Sequence, residues 1–264
     1  MNDGRIETAG YEAGFFEELA LAEDRHFWFR HRNAIIAEVM TSVAGTLSAG
    51  YRVLEVGSGT GNTLRVLERV CASGTVVGTD PFEEGLRIAR RRVTCEVVQS
   101  DIQTLTVPGR FDIIAAFDVL EHVEDDRQAL EQLRTRLCDG GRVVLTVPAH
   151  MGLWSYADVA AHHYRRYSTG QLRGTLQDAG FVVEYLTPFM SVLYPLMWAS
   201  RRLAAWRAGE LTGEKAFALT LRDLRIVPGW NEWLLWLLRP EVSRVRDRRA
   251  IPAGTSLLAV ARWK

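Results

Sequence analysis

Between about residues 51 and 187 the chain alternates short Val/Ile/Leu-rich runs with stretches whose apolar positions recur every three or four residues. Continuous apolar runs suit strands covered on both faces, and helical stretches between them signal parallel βαβ units. The runs at Arg52–Val56, Thr75–Thr79, Glu96–Gln99, Phe111–Phe117, Arg142–Val147, Phe181–Thr187 and Ser256–Ala261 predict seven strands. Helical patterns at Thr60–Ala72, Glu83–Arg92, Asp126–Leu137 and Thr169–Ala179 lie between them, the last two followed by stop signals at Asp139-Gly140-Gly141 and Gly180. The expected fold is α/β, a doubly wound, Rossmann-like seven-stranded sheet.

Two segments stand outside this alternation. Residues 1–50 read as an N-terminal helical cap, with helix over Glu17–Ala44 and an aromatic cluster at Phe27-Trp28-Phe29. The last two strands are about 70 residues apart, far beyond an ordinary connection, so residues 188–251 read as a helical, aromatic-rich insertion in a core of residues 51–187 plus 252–264. Met190, Leu193, Tyr194, Met197 and Trp198 form one apolar stripe there, and Trp230, Trp233, Leu234 and Leu237 a second. Such stripes suit a lid over an acceptor, a homodimer contact, ordinary core or a membrane-surface contact.

Composition narrows the partners. With 32 basic and 32 acidic residues the formal net charge is zero, which leaves no global field to gather nucleic acid. Cys71, Cys95 and Cys138 are widely spaced with no Cys-x-x-Cys pair, so no metal is expected and a reducing, cytoplasmic setting fits. The N-terminus is acidic without a signal-peptide pattern. The longest uncharged apolar stretch, Pro188–Ser200, is shorter than the roughly 20 residues of a transmembrane span.

The chemistry concentrates where the first strand, Val53-Leu54-Glu55-Val56, runs into Gly57-Ser58-Gly59-Thr60-Gly61 and opens a helix. Glycines there let a ligand approach the backbone and the helix N-terminus. Asp80 closes the second strand 19 residues after Gly61, placed to accept from a ribose diol, and is followed by Pro81. Asp101 and Ile102 follow the third strand, Asp112 opens the fourth, and the fourth ends in Asp118-Val119-Leu120-Glu121-His122. This series, over about Tyr51–Pro148, resembles the class I S-adenosylmethionine-dependent methyltransferases. The strings around Phe27-Trp28-Phe29, His162–Tyr167 and Ile251–Arg262 extend the likeness to a bacterial subgroup of that family. The resemblance implies S-adenosylmethionine as cofactor and S-adenosylhomocysteine as product. It implies that Glu55, Gly57, Ser58, Gly59 and Gly61 hold the methionyl end, Asp80 with Pro81 the ribose, and Asp101 with the Ile102 amide the adenine. Asp118 would line the pocket between cofactor and acceptor, and Trp28 and Arg32 would close over it, the arginine meeting the cofactor's carboxylate.

Ligands of open α/β sheets bind beyond the carboxyl ends of the strands, which points to the Pro148–Tyr167 loop as acceptor wall. His150, Trp154, Tyr156, Arg165, Arg166 and Tyr167, with His122, are the expected acceptor contacts. A base is needed only if an acceptor oxygen or nitrogen must lose a proton, and histidine titrates in the right range. His163 is the favoured base, with His162 behind it and Asp158 to orient a histidine. The subgroup usually has glycine where this chain has His162, which leaves the local turn open. The expected activity is methyl transfer to O or N of a small molecule, and by association with the subgroup alone a secondary metabolite, sugar or lipid-linked glycan. Two readings compete: a non-catalytic binding or scaffold protein, and a NAD-dependent oxidoreductase. The second is weakened because the third glycine of its Gly-x-Gly-x-x-Gly fingerprint comes one residue early, at Gly61.

Overall fold

A computed structural model describes residues 13–205, 219–220, 222, 225–227 and 229–264. Seven strands form one sheet in the order β3-β2-β1-β4-β5-β7-β6. They are β1 (Arg52–Val56), β2 (Thr75–Asp80), β3 (Glu96–Gln99), β4 (Phe111–Phe117), β5 (Leu137–Pro148), β6 (Phe181–Phe189) and β7 (Ser256–Trp263). The first five are mutually parallel, and β7 runs antiparallel between β5 and β6. Every expected strand is present. The expected stop at Asp139-Gly140-Gly141 instead lies in the entry to β5, where pairing to β4 shifts register between Phe111 and Ile113.

Consecutive residues of the central strands feed opposite layers, as the two-residue side-chain period requires. Leu54, Val56, Ile114, Ala116, Val143 and Leu145 face a layer closed by α5 (Asp126–Thr135) and α7 (Thr169–Asp178). Val53, Ile113, Ala115, Phe117 and Val144 face the other, which holds α2 (Phe27–Ala44) and α3 (Asn62–Val70). Helix α1 (Ala13–Glu23) precedes α2, α4 (Glu83–Arg92) links β2 to β3, and a short α6 (Tyr156–Ala160) lies in the loop after β5. The strand order reverses between β1 and β4, so their carboxyl ends bound the crevice where this architecture binds ligands.

The insertion contributes α8 (Leu193–Ala205) and α9 (Trp230–Arg246). Helix α9 lies along α2, and its inward face is not the expected tryptophan stripe. Asn231, Leu238, Glu241 and Val245 are buried, whereas Trp230, Trp233 and Trp236 are 62%, 50% and 65% exposed. Polar partners turned the helix: Asn231 accepts from the Phe27 amide at 2.7 Å, and Glu241 meets His31 Nε2 at 3.0 Å and accepts from the Met190 and Ser191 amides at 2.7 and 2.6 Å. Leu238 and Val245 join the same core layer as α2, so this part of the insertion is core. Among the described residues no helix is long and apolar enough to cross a membrane.

Burial would raise the Glu241 carboxyl, but hydrogen bonds from His31 and Ser191 outweigh it and hold the group below its ordinary 4.5. A depressed carboxylate contributes stability above its unfolded value and loses it as pH falls through the folded one. Glu241→Gln is therefore expected to lower stability by about 2–4 kcal/mol at pH 7, since buried donors lose a charged acceptor. The gap in melting temperature to the wild type should narrow below about pH 4.5, as followed by circular dichroism.

Candidate active site

The turn after β1 is shaped by three left-handed glycines. At Gly57 (φ 72°) a Cβ would lie 2.3 Å from Val119 Cγ2, and at Gly61 (φ 78°) 3.0 Å from Ala89. These two glycines are required by packing, so Gly61 serves the fit of α3 against α4. At Gly59 (φ 50°) nothing stands within 4 Å of that position, so the backbone there is open to a ligand. Ser58 is buried, its Oγ has no partner, and its amide donates to the Thr79 carbonyl.

Buried acids ring this turn. Glu55 is fully buried, accepts from the Thr63 hydroxyl through Oε1 and has no partner for Oε2; burial pushes its carboxyl up to about 8. Asp80 accepts from the Gly59 and Phe82 amides at 2.8 and 2.9 Å, and burial raises it to about 6. Pro81 lies beside it and its carbonyl accepts from Gln99. Asp101 caps the short helical turn Ile102–Thr104 by accepting from the Gln103 amide at 2.7 Å, with Ile102 buried behind it. Asp112 accepts from the Arg52 amide at 2.8 Å, a structural role.

At the end of β4, Asp118 adopts φ 56°, accepts from the Thr146 hydroxyl at 3.1 Å and pairs with Arg32. Arg32 also lies 5.2 Å from the Trp28 ring centre. Two residues the sequence reading expected to close over a cofactor thus stand together, but the guanidinium already meets a carboxylate of the chain itself. Burial raises Glu23, Glu55 and Glu121, and the Arg32 charge opposes each rise. Carboxylates with unmatched oxygens around an open glycine turn suit a ligand that brings positive charge and hydrogen-bond donors, as a sulfonium with an ammonium and a ribose diol would.

The loop after β5 closes beside Asp118. His163 Nδ1 lies 2.9 Å from Asp158 Oδ1, and its Nε2 lies 4.0 Å from Glu121 Oε1. The rings of His163 and His122 meet edge to face at 4.6 Å. His150 stands with φ 61° and its ring 5.0 Å from Tyr194 of α8, which brings the insertion to the acceptor loop. Burial lowers the His150 pKa. Trp154 and Tyr156 are half-buried in the same loop.

Asp158 stands against His163 as the expected histidine-orienting role requires, whereas other loop residues take roles different from those expected. Asp158 is fully buried: it accepts from the Ser155 amide at 2.8 Å in a capping box and from Arg166 Nε at 2.7 Å. Burial alone would raise its pKa, but His163 and Arg166 hold it down, so it is a positioning group. Arg166 also donates to the Ala149 carbonyl, and Arg165 is taken up by Asp126 and the Glu124 carbonyl. Tyr167 is 2% exposed with its hydroxyl donating to Asp126 at 2.7 Å. These contacts tie the loop to itself and to Glu124 and Asp126, so all three residues serve to hold the loop. His162 is exposed and takes φ 53°, the glycine-favouring turn, so it keeps the turn that the subgroup's glycine would make. The sequence reading missed Glu23, which accepts from the Thr60 hydroxyl and pairs with Arg92, and Glu121, which is 1% exposed with Oε2 unpartnered. Glu121 was detectable as an acid within the apolar segment Val119–Val123.

Comparison with known proteins agrees with this geometry. Residues 28–186 match the family described as Methyltransferase domain. A protein of Streptomyces fradiae described as an uncharacterized 37.1 kDa protein in transposon TN4556 is 34% identical over 61% of this chain and 52% of its own. The ubiquinone biosynthesis O-methyltransferase of Idiomarina loihiensis is 29% identical over 50% of this chain and 56% of its own length. The demethylmenaquinone methyltransferase of Clavibacter sepedonicus is 32% identical over 52% and 57%. The chain thus spans about half the length of these relatives. Phosphoethanolamine N-methyltransferase 2 of Haemonchus contortus, solved with S-adenosyl-L-methionine, superposes with a TM-score of 0.61 at 17% identity, covering 98% of this chain and 59% of that one. An S-adenosylmethionine-dependent methyltransferase of Clostridium acetobutylicum superposes with a TM-score of 0.55 at 10% identity, covering 88% and 92%. At these identities the likeness is one of fold.

Two outcomes follow from the geometry. Asp80→Ala should weaken S-adenosylhomocysteine binding by about 1–3 kcal/mol in titration calorimetry. Because the Asp80 carboxyl protonates near 6, wild-type affinity should fall between pH 8 and pH 5, and that dependence should shrink in the variant. His162→Gly should raise stability by about 1 kcal/mol, the strain of a left-handed non-glycine residue, read as an increased melting temperature.

Proposed function

The chain belongs to the family of S-adenosylmethionine-dependent methyltransferases, and on that premise we propose that it transfers the cofactor's methyl group to an oxygen or nitrogen of a small-molecule acceptor. The observation that carries this reading is the convergence, at the carboxyl ends of β1, β2 and β4, of the open Gly59 backbone with Glu55, Asp80 and Asp118. The buried acids and the Ser58 hydroxyl hold a cationic cofactor, and the acceptor enters from the Pro148–Tyr167 side. That side is bounded by His150, Trp154 and Tyr156, with Tyr194 of the insertion as its outer wall.

Methyl transfer is an in-line displacement, so fixing the two reactants supplies much of the acceleration. An acceptor hydroxyl or amine must also lose a proton, and this depends on His163, whose ring Asp158 and His122 hold beside Glu121. The relatives named for ubiquinone biosynthesis and for demethylmenaquinone favour an aromatic hydroxyl or quinol ring as the first acceptor class to assay. A family match over residues 28–186 does not favour the oxidoreductase alternative, and the intact turn and acids do not favour a bare scaffold.

Incubation with S-adenosylmethionine labelled in its methyl group, against a panel of phenolic, quinol and amine acceptors, tests the reading. Labelled product from at least one class is expected, and binding of NAD in place of S-adenosylhomocysteine would overturn it. His163→Ala should lower turnover by about 10²–10⁴-fold with cofactor affinity intact. Full activity of that variant across the pH range would remove His163 from the reaction.

A further inference from the structure

We propose that Glu121, His122 and His163 form a binding site for one divalent first-row transition-metal cation, of the zinc class, beside the acceptor position. Each residue offers a ligand atom, and the three atoms lie within 4.8 Å of one another. Two imidazoles and a carboxylate are the donor set of a zinc site that keeps a fourth position open for a water or substrate oxygen.

Each ligand is prepared by its surroundings. Glu121 is 1% exposed and its Oε2 has no hydrogen-bond partner, although buried carboxylate oxygens are ordinarily satisfied. A cation at the cluster supplies the missing partner. His163 Nδ1 is 2.9 Å from Asp158 Oδ1, so a proton on Nδ1 toward that carboxylate leaves the Nε2 lone pair free, 4.0 Å from Glu121 Oε1. A carboxylate behind the distal nitrogen is the recurrent support of metal-bound histidine, fixing its tautomer and ring plane. The His122 ring is hydrogen-bonded by the Ala161 backbone and meets His163 edge to face.

The backbone holds the ligand segments in register. The Tyr164 amide donates to the Glu121 carbonyl at 2.8 Å and the His163 amide to the Asp158 carbonyl at 2.9 Å, which ties the short helical turn Leu120–His122 to the end of α6. Ligand atoms of a closed tetrahedral site stand about 3.3 Å apart, given metal–ligand distances near 2 Å. The ligand atoms here lie within 4.8 Å of one another, so binding a cation would draw them together. The expectation of no metal rested on cysteine spacing, and this donor set contains no cysteine.

The role of the cation rests on the methyl-transfer reading above; the site itself does not. An acceptor hydroxyl in the open position is acidified and releases its proton to water. Its oxygen then bonds to the methyl carbon as the carbon–sulfur bond breaks, and that electron pair stays on sulfur as the neutral thioether. His163 is then a ligand rather than a base, so loss of turnover in His163→Ala fits both roles and metal binding separates them.

The test titrates the intact protein with Co²⁺ by visible absorption and with Zn²⁺ by calorimetry, in wild type, Glu121→Gln and His122→Ala. One equivalent is expected to bind the wild type, with affinity at least about 10-fold weaker in each variant, while His122→Ala keeps the wild-type melting temperature and S-adenosylhomocysteine binding. No saturable binding by the wild type, or unchanged affinity in both variants, overturns the site. Cobalt binding without S-adenosylhomocysteine binding supports the site and sinks the methyl-transfer reading. The reverse result overturns the site alone.

Discussion

The ion pair between Arg32 and Asp118 joins the N-terminal cap to the sheet at the point where the strand order reverses. Arg32 comes from α2 and Asp118 from the end of β4, and the pair is largely buried, so neither group tolerates loss of the other. The same guanidinium opposes the burial-driven rise of Glu23, Glu55 and Glu121. Arg32 limits that rise without cancelling it: the Glu55 carboxyl still stands at about 8, and a positively charged ligand would draw it down. With Arg32 in place, the acids stand around the glycine turn as a site for a positively charged ligand, and α2 is positioned as the wall of that site.

Strain collects in the same region. Asp118, His150, His162 and Met190 all take left-handed backbone angles without being glycine. Asp118 and His150 bound the pocket, His162 turns the acceptor loop toward Glu121, and Met190 starts the insertion beneath Glu241. Such angles persist only where surrounding contacts over-determine them, and here the contacts are the Thr146, Tyr167 and Glu241 hydrogen bonds. The acceptor loop is held rigidly through Asp158, Arg166 and Tyr167, and His163 inherits that rigidity. Reactive groups need such placement, because small displacements carry large losses in rate.

The exposed tryptophans of α9 show how far a hydrophobic stripe can mislead. Trp230, Trp233 and Leu234 recur at helical spacing, yet of these only Leu234 packs against the core, and the helix turns Asn231 and Glu241 inward. Burying two polar groups with full sets of partners on α2 and at Met190–Ser191 defines one orientation of α9. The tryptophan face that a homodimer would use is left on the surface.

What the sequence determined by itself is the sheet, the glycine turn and the acids at strand ends. Those features are local: a period of two, a run of glycines and the residue after a strand are visible within ten positions. Tertiary structure decided which charged groups face which. Arg32 meets Asp118 across 86 residues and His31 meets Glu241 across 210, and no local period encodes either contact. For the same reason the dense loop Pro148–Tyr167 read as uniformly chemical. The fold divides it into groups that hold the loop, Asp158, Arg165, Arg166 and Tyr167, and groups left facing the site, His150 and His163. Glu121 gained its place in the chemistry only when the loop folded over it, because a carboxylate's role is set by what it is buried against.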